Sequence, residues 1–79
     1  MIRVLVVDDH PLVRQGIRAF LEALEDINVC AEASSGKEAI ALAQEHVPDV
    51  ILMDLMMPDI DGVETTRRVK EVSPRSQVM

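Results

Sequence analysis

The feature that most constrains this chain occurs twice: an unbroken apolar run that ends in acid. Val4-Leu5-Val6-Val7 leads into Asp8-Asp9, and Val50-Ile51-Leu52-Met53 leads into Asp54. A short apolar run without alternation reads as a strand covered on both faces, which is the condition of strands inside a parallel sheet flanked by helices. Parallel strands share one carboxyl end. If the two runs are neighbours, their acids meet there.

The segments between the runs carry helical spacing. Residues 2–7 read as the first strand, and Pro11 suits the first turn of a helix, where a missing N–H costs nothing. Leu12, Val13, Ile17, Phe20, Leu21 and Leu24 recur every three or four residues, so 11–24 is expected to be an amphipathic helix. In 27–33, Ile27, Val29 and Ala31 alternate with Asn28, Cys30 and Glu32, as in an edge strand with one drier face. Ser35-Gly36-Lys37-Glu38 forms a capping box that opens a helix through His46, with Ala39, Ile40 and Ala43 inward and Pro48 as the stop. Asp61-Gly62-Val63-Glu64 reads as the cap of a third helix to Val72, and Gln77-Val78-Met79 as the start of a fourth strand.

Strands joined by crossover helices are parallel and right-handed. The expected fold is therefore α/β: a flavodoxin-like, doubly wound parallel sheet of strand order 2-1-3, with a fourth strand beginning beyond the third. The sequence stops inside that fourth strand, which would leave the 50–53 run as an open edge prone to pairing with another chain. Residues 1–79 thus read as the N-terminal part of a larger domain, or as a piece that completes its sheet with a second copy.

A chain of 79 residues, 48% apolar, can form one small packed domain but not two. Its core is aliphatic, because Phe20 is the lone aromatic. A net charge of −6 argues against gripping nucleic acid or an anionic membrane directly. Cys30, having no partner cysteine, fits a reducing cytoplasm. Residues 1–7 lack the form of a signal peptide, and no apolar run approaches a membrane span.

At the carboxyl rim of such a sheet, ligands bind where the strand order reverses. Asp8, Asp9 and Asp54 are expected to converge there. Two carboxylates about 4 Å apart repel by roughly 4 kcal/mol at an effective dielectric near 20. Three together call for a cation or a shared proton. An all-oxygen site selects a hard divalent ion, and Mg²⁺ fits because it uses few carboxylates and keeps several waters. A cation beside a strand-end carboxylate suits phosphoryl transfer, in which aspartate serves as a covalent acceptor. Asp54, alone on its strand end, is the candidate nucleophile, with Asp8 and Asp9 as ion holders.

Asp8-Asp9 after the first strand, Asp54 after the third, Met57-Pro58 and Asp61-Gly62 together resemble the receiver domain of two-component response regulators. The stretches DDHPLVRQGI and EASSGKEAI are similar to the NarL/FixJ type, whose CheY-like receivers precede a helix-turn-helix DNA-binding domain. The resemblance covers the whole sequence, which spans about two-thirds of a receiver. It implies that Asp54 accepts phosphate from a sensor histidine kinase and that Asp9 binds Mg²⁺ directly. It further implies that Asp8 binds the ion through water, that the backbone carbonyl of Met56 adds a ligand, and that Pro58 and Gly62 shape the loop. The module would act on transcription through DNA contacts made by a separate domain. The family's strand-ending Ser/Thr and Lys have no counterpart, since Lys37, Lys70, Thr65 and Thr66 fall on helices. Metal binding is therefore expected to survive, but not the phosphorylation-driven switch.

Other readings remain beside this one. Asp59 and Asp61 read as turn and cap residues, His10 as a helix-opening residue, and His46 as a charge partner at a helix C-terminus. Met53, Met56 and Met57 read as packing residues; Arg67, Arg68, Lys70 and Arg75 as a solvated face. An EF-hand fails on spacing, because Met57 and Arg68 would occupy ligand positions. A haloacid-dehalogenase-like phosphatase would need an acid where Met56 stands. A Mg²⁺-dependent phosphohydrolase and a non-phosphorylated interaction module are the two alternatives.

Overall fold

The structure is a computed structural model that describes residues 1–54 and 62–79. Strands β1 (Ile2–Val7), β2 (Ile27–Ala33), β3 (Val50–Met53) and β4 (Gln77–Val78) alternate with helices α1 (Pro11–Glu22), α2 (Gly36–His46) and α3 (Gly62–Val72). All the pairings are parallel, in the order β2-β1-β3-β4. This is the doubly wound arrangement expected from the alternation of runs.

Local chemistry sets the element ends. The Ser35 hydroxyl accepts from Glu38 N–H at 3.2 Å, while the Glu38 carboxylate accepts from Ser34 N–H at 2.7 Å. The capping box thus forms, with its return bond one residue earlier than usual. α2 ends on Val47 in the left-handed region, at φ 45°, an uncommon place for a β-branched residue. Arg3 steadies that end by donating to the carbonyls of His46 and Val47, and its own N–H donates to Asp49. The buried Ser73 and Ser76 hydroxyls bond each other at 2.6 Å, and Ser76 donates to the Pro48 carbonyl. These bonds tie the turns at the amino end of the sheet.

Leu5, Val7, Ala33, Ala39, Ala43, Ile51, Met53 and Val69 form one buried core beneath α2 and α3. The helix-face residues Ala39 and Ala43 sit in it as their spacing predicts, with Ile40 packed alongside. Val4 and Val6 are buried on the opposite, α1 side of β1.

Three expectations need correction. The first helix ends at Glu22, not Leu24, and none of its residues is buried: Leu12 is 82% exposed and Phe20 69%. The stripe is real, but α1 rests on β1 and β2 without a second helix beside it among the described residues. In β2, the pairing register slips between Val29 and Ala31, so Cys30 bulges. Ala31 and Ala33 therefore join Leu5 and Val7 on the core side, and Ile27 and Val29 face the other way. Finally, β3 is not an open edge. Gln77 and Val78 pair with Val50 and Ile51, and Met53 N–H donates to the Met79 carbonyl at 2.9 Å. Three residues suffice to run along a strand of four.

The two faces should respond differently to truncation. Ile51→Ala is expected to lower unfolding stability by about 2–5 kcal/mol, as large-to-small core changes do. Phe20→Ala should stay within about 0.5 kcal/mol of the parent. Urea midpoints check both, and an equal loss from the two variants would contradict the exposure of α1.

Candidate metal centre

Register brings the acids together. Val7 pairs with Met53, so the residues that follow, Asp8 and Asp54, leave the sheet at the same level. The ladder runs one step further: Asp54 N–H donates to the Val7 carbonyl and Asp8 N–H to the Ala33 carbonyl, each at 3.0 Å. Both backbones are thereby fixed before their side chains begin. One ligand atom each from Asp8, Asp9, His10 and Asp54 lie within 4.8 Å of one another. The convergence expected of Asp8, Asp9 and Asp54 is thus realised in the fold.

Asp8 is buried, and its Oδ1 accepts from His10 N–H at 2.8 Å and from His10 Nδ1 at 2.9 Å. Burial pushes its carboxyl pKa up, but the His10 hydrogen bonds and the nearby His10 and Arg14 charges outweigh this and hold it below 3.8. Arg14 Nη1 also donates to the Asp8 carbonyl at 2.8 Å while its Nε pairs with Glu32 at 3.2 Å. The His10 pKa moves above 6.5, chiefly through its bond to Asp8 and then through the charge of Asp9.

Asp9 Oδ1 is buried without a hydrogen bond among the described residues. His10 Nδ1 stands 2.9 Å from it, yet that nitrogen directs its one proton to Asp8. A buried carboxylate oxygen left without a donor is what a cation would satisfy. The oxygen-rich donor set suits a hard divalent ion such as Mg²⁺. Beside the acids lies a hollow of about 430 Å³ lined by Val7, Asp8, Ile17, Leu52, Met53, Asp54 and Met79.

Met56, Met57, Pro58, Asp59 and Asp61 lie outside the described residues, and Gly62 is the first residue of α3. The residue that the sequence reading undervalued is His10. It does open the helix, but without a capping bond from its side chain, which turns back onto the acids. Its adjacency to Asp8-Asp9 was the available signal. Of the helix-borne side chains, Thr66 Oγ1 donates to Met53 Sδ at 3.7 Å and Lys70 Nζ to the Pro74 and Ser76 carbonyls, while Thr65 Oγ1 is buried with no hydrogen bond among the described residues. Nor is the basic stretch on α3 a free positive patch. Arg67 and Arg68 hydrogen-bond Glu64, whose pKa falls to about 2 as a result, and Arg67 also pairs with Glu71.

Residues 4–79 match the profile of the response regulator receiver domain. The chain is 54% identical over 78 residues to the response regulator protein VraR of Staphylococcus aureus, covering 99% of this chain and 37% of that protein. It therefore spans little more than a third of the length of that curated relative. It also resembles the signal receiver domain of NarL from Mycobacterium tuberculosis, with a TM-score of 0.90 and 39% identity over 98% of this chain and 62% of that one. RcsB from Salmonella enterica serovar Typhimurium, solved bound to a promoter with the phosphomimetic BeF3-, gives a TM-score of 0.88 at 32% identity, covering 98% and 40% of the respective chains.

The opposite shifts of Asp8 and His10 describe one interaction seen from its two partners. The raised His10 value contributes stability that is complete below pH 6.5 and lost as pH rises through the higher folded value. The lowered Asp8 value contributes above pH 3.8 and is lost as pH falls through the lower folded value. In ion-free buffer, NMR titration should place the His10 ring above 6.5, and Asp8→Asn should bring it down toward that value. An unchanged His10 titration in the variant would remove Asp8 as the cause.

Proposed function

The chain belongs to the response regulator receiver domain family, and from that membership we propose that Asp54 accepts a phosphoryl group from a sensor histidine kinase. The observation that carries this reading is the approach of Asp54 to Asp8 and Asp9 within 4.8 Å. In the transfer, an Asp54 carboxylate oxygen bonds to phosphorus as the phosphorus–nitrogen bond of a phosphohistidine breaks, its electron pair staying on the imidazole. Asp8, Asp9, Asp54 and the backbone carbonyl of Met56 would hold Mg²⁺, with Pro58 and Gly62 shaping the loop. When bound, the ion neutralises charge on the transferring oxygens. Asp8, kept ionised by its bonds to His10, is ready to face a cation. Asp9 offers an oxygen with no hydrogen bond to surrender among the described residues. Asp54 is positioned by its backbone bond to Val7, which aims the nucleophile before any partner arrives.

The chain acts as a stoichiometric acceptor and not as a turnover enzyme. Residues 1–79 form the N-terminal portion of a receiver, and any effect on DNA runs through a separate domain; the similar protein RcsB has been solved bound to a promoter. No helix among the described residues is long and apolar enough to cross a membrane. A cytoplasmic setting agrees with that and with the lone Cys30. The short outer strand β4 leaves its far edge open among the described residues, and we assign that edge to pairing with a second copy, by simple docking or by strand exchange.

Treatment of the intact protein with acetyl phosphate and Mg²⁺ should add mass, and the Asp54→Asn variant should not gain it, read by intact-protein mass spectrometry. Equal labelling of the variant would overturn the acceptor assignment, and sustained release of phosphate would favour a phosphohydrolase. Sedimentation should show a dimer or larger assembly; a stable monomer would remove the β4 edge as a contact.

A further inference from the structure

We infer that the His10 side chain is a built-in occupant of the cation position, which a divalent ion must displace in order to bind. The inference rests on the metal-centre reading of the three acids. His10 Nδ1 stands among them, 2.9 Å from Asp8 Oδ1, 2.9 Å from Asp9 Oδ1 and 3.8 Å from Asp54 Oδ2. It approaches all three acids at once, as a shared ion would. An ionised carboxylate only accepts, so Nδ1 presents a proton to Asp8 and not a lone pair. In this orientation it acts in place of a metal and cannot ligate one. An ion held by these acids, directly or through water, would need the volume that the ring nitrogen now fills.

The ring is built to leave. His10 is 66% exposed at its side chain, and that side chain makes no capping bond to α1. Its backbone stays in place when the ring moves, because His10 N–H is held by Asp8 and the His10 carbonyl by Arg14 N–H at 2.9 Å. The ring also satisfies the site incompletely: its proton serves Asp8, and Asp9 Oδ1 goes without a hydrogen bond among the described residues. A divalent ion serves all three acids at once, so it wins the position while paying for the displaced contact. His10 thereby sets how much metal is needed before the centre is loaded, and it screens the acids from one another until then.

Calorimetric titration of Mg²⁺ at one fixed pH tests this on the parent chain and His10→Ala. The variant should bind about threefold to tenfold more tightly, the equivalent of one ordinary solvent-exposed hydrogen bond no longer broken. In the parent, the His10 ring NMR signals should shift on Mg²⁺ saturation to those of a solvent-exposed histidine, a readout that needs no variant. Weaker binding by His10→Ala would make the imidazole a ligand and overturn displacement. Equal affinities with unmoved ring signals would also overturn it, while leaving the metal centre standing. Absence of Mg²⁺ binding in both proteins would sink the metal-centre reading itself.

Discussion

The parallel register of β1 against β3 is the constraint on which everything else depends. Because Val7 lies opposite Met53, and Asp54 N–H closes one more bond onto Val7, acids 46 residues apart leave the sheet at one height. The core enforces that register. Leu5, Val7, Ile51 and Met53 are buried together beneath α2 and α3, and a slip by one residue would turn each of them away from the core. Apolar burial thus supplies the energy that holds like charges close. The repulsion is tolerated because the groups that suffer it cannot move apart without unmaking the sheet.

Around the acids, the charges are arranged unequally. Asp8 is well supplied, with two hydrogen bonds from His10 and Arg14 close by. Asp9 keeps one buried oxygen without a hydrogen bond among the described residues. Such a partial arrangement fits a site that has to release one contact and gain a stronger one. Arg14 is committed to structure, since it joins the Asp8 backbone to Glu32 on the neighbouring strand. Among the described residues, His10 alone combines contact with the acids and a largely exposed side chain.

The two faces of the sheet differ in the same way. The α2–α3 face is closed by small side chains, Ala39 and Ala43, that let the helix sit low on β1 and β2. On the other face α1 stands by itself among the described residues, and its apolar stripe meets solvent. The hollow beside Asp8 and Asp54 is lined from both faces of the sheet, by Val7 and Met53 on the core side and by Ile17 and Leu52 on the α1 side. The chemistry therefore sits at the border between a closed face and an open one.

The element order, the strand order and the meeting of Asp8, Asp9 and Asp54 were legible in the sequence, because unbroken apolar runs and helix spacing are local patterns. The Ser35 cap was legible for the same reason. The bulge at Cys30 was not: alternation of Ile27, Val29 and Ala31 is equally regular with or without it, and only pairing with β1 reveals the slipped register. Exposure of Phe20 was hidden too, since an amphipathic stripe says which side of a helix wants cover and not whether any arrives. The return of the His10 ring onto the acids depends on backbone angles and through-space distances that no residue pattern encodes. Sequence determined which residues could form each strand and helix, because those preferences act within a few residues. Tertiary structure decided which faces are covered and what stands among the acids, because both depend on contacts between segments far apart in the chain.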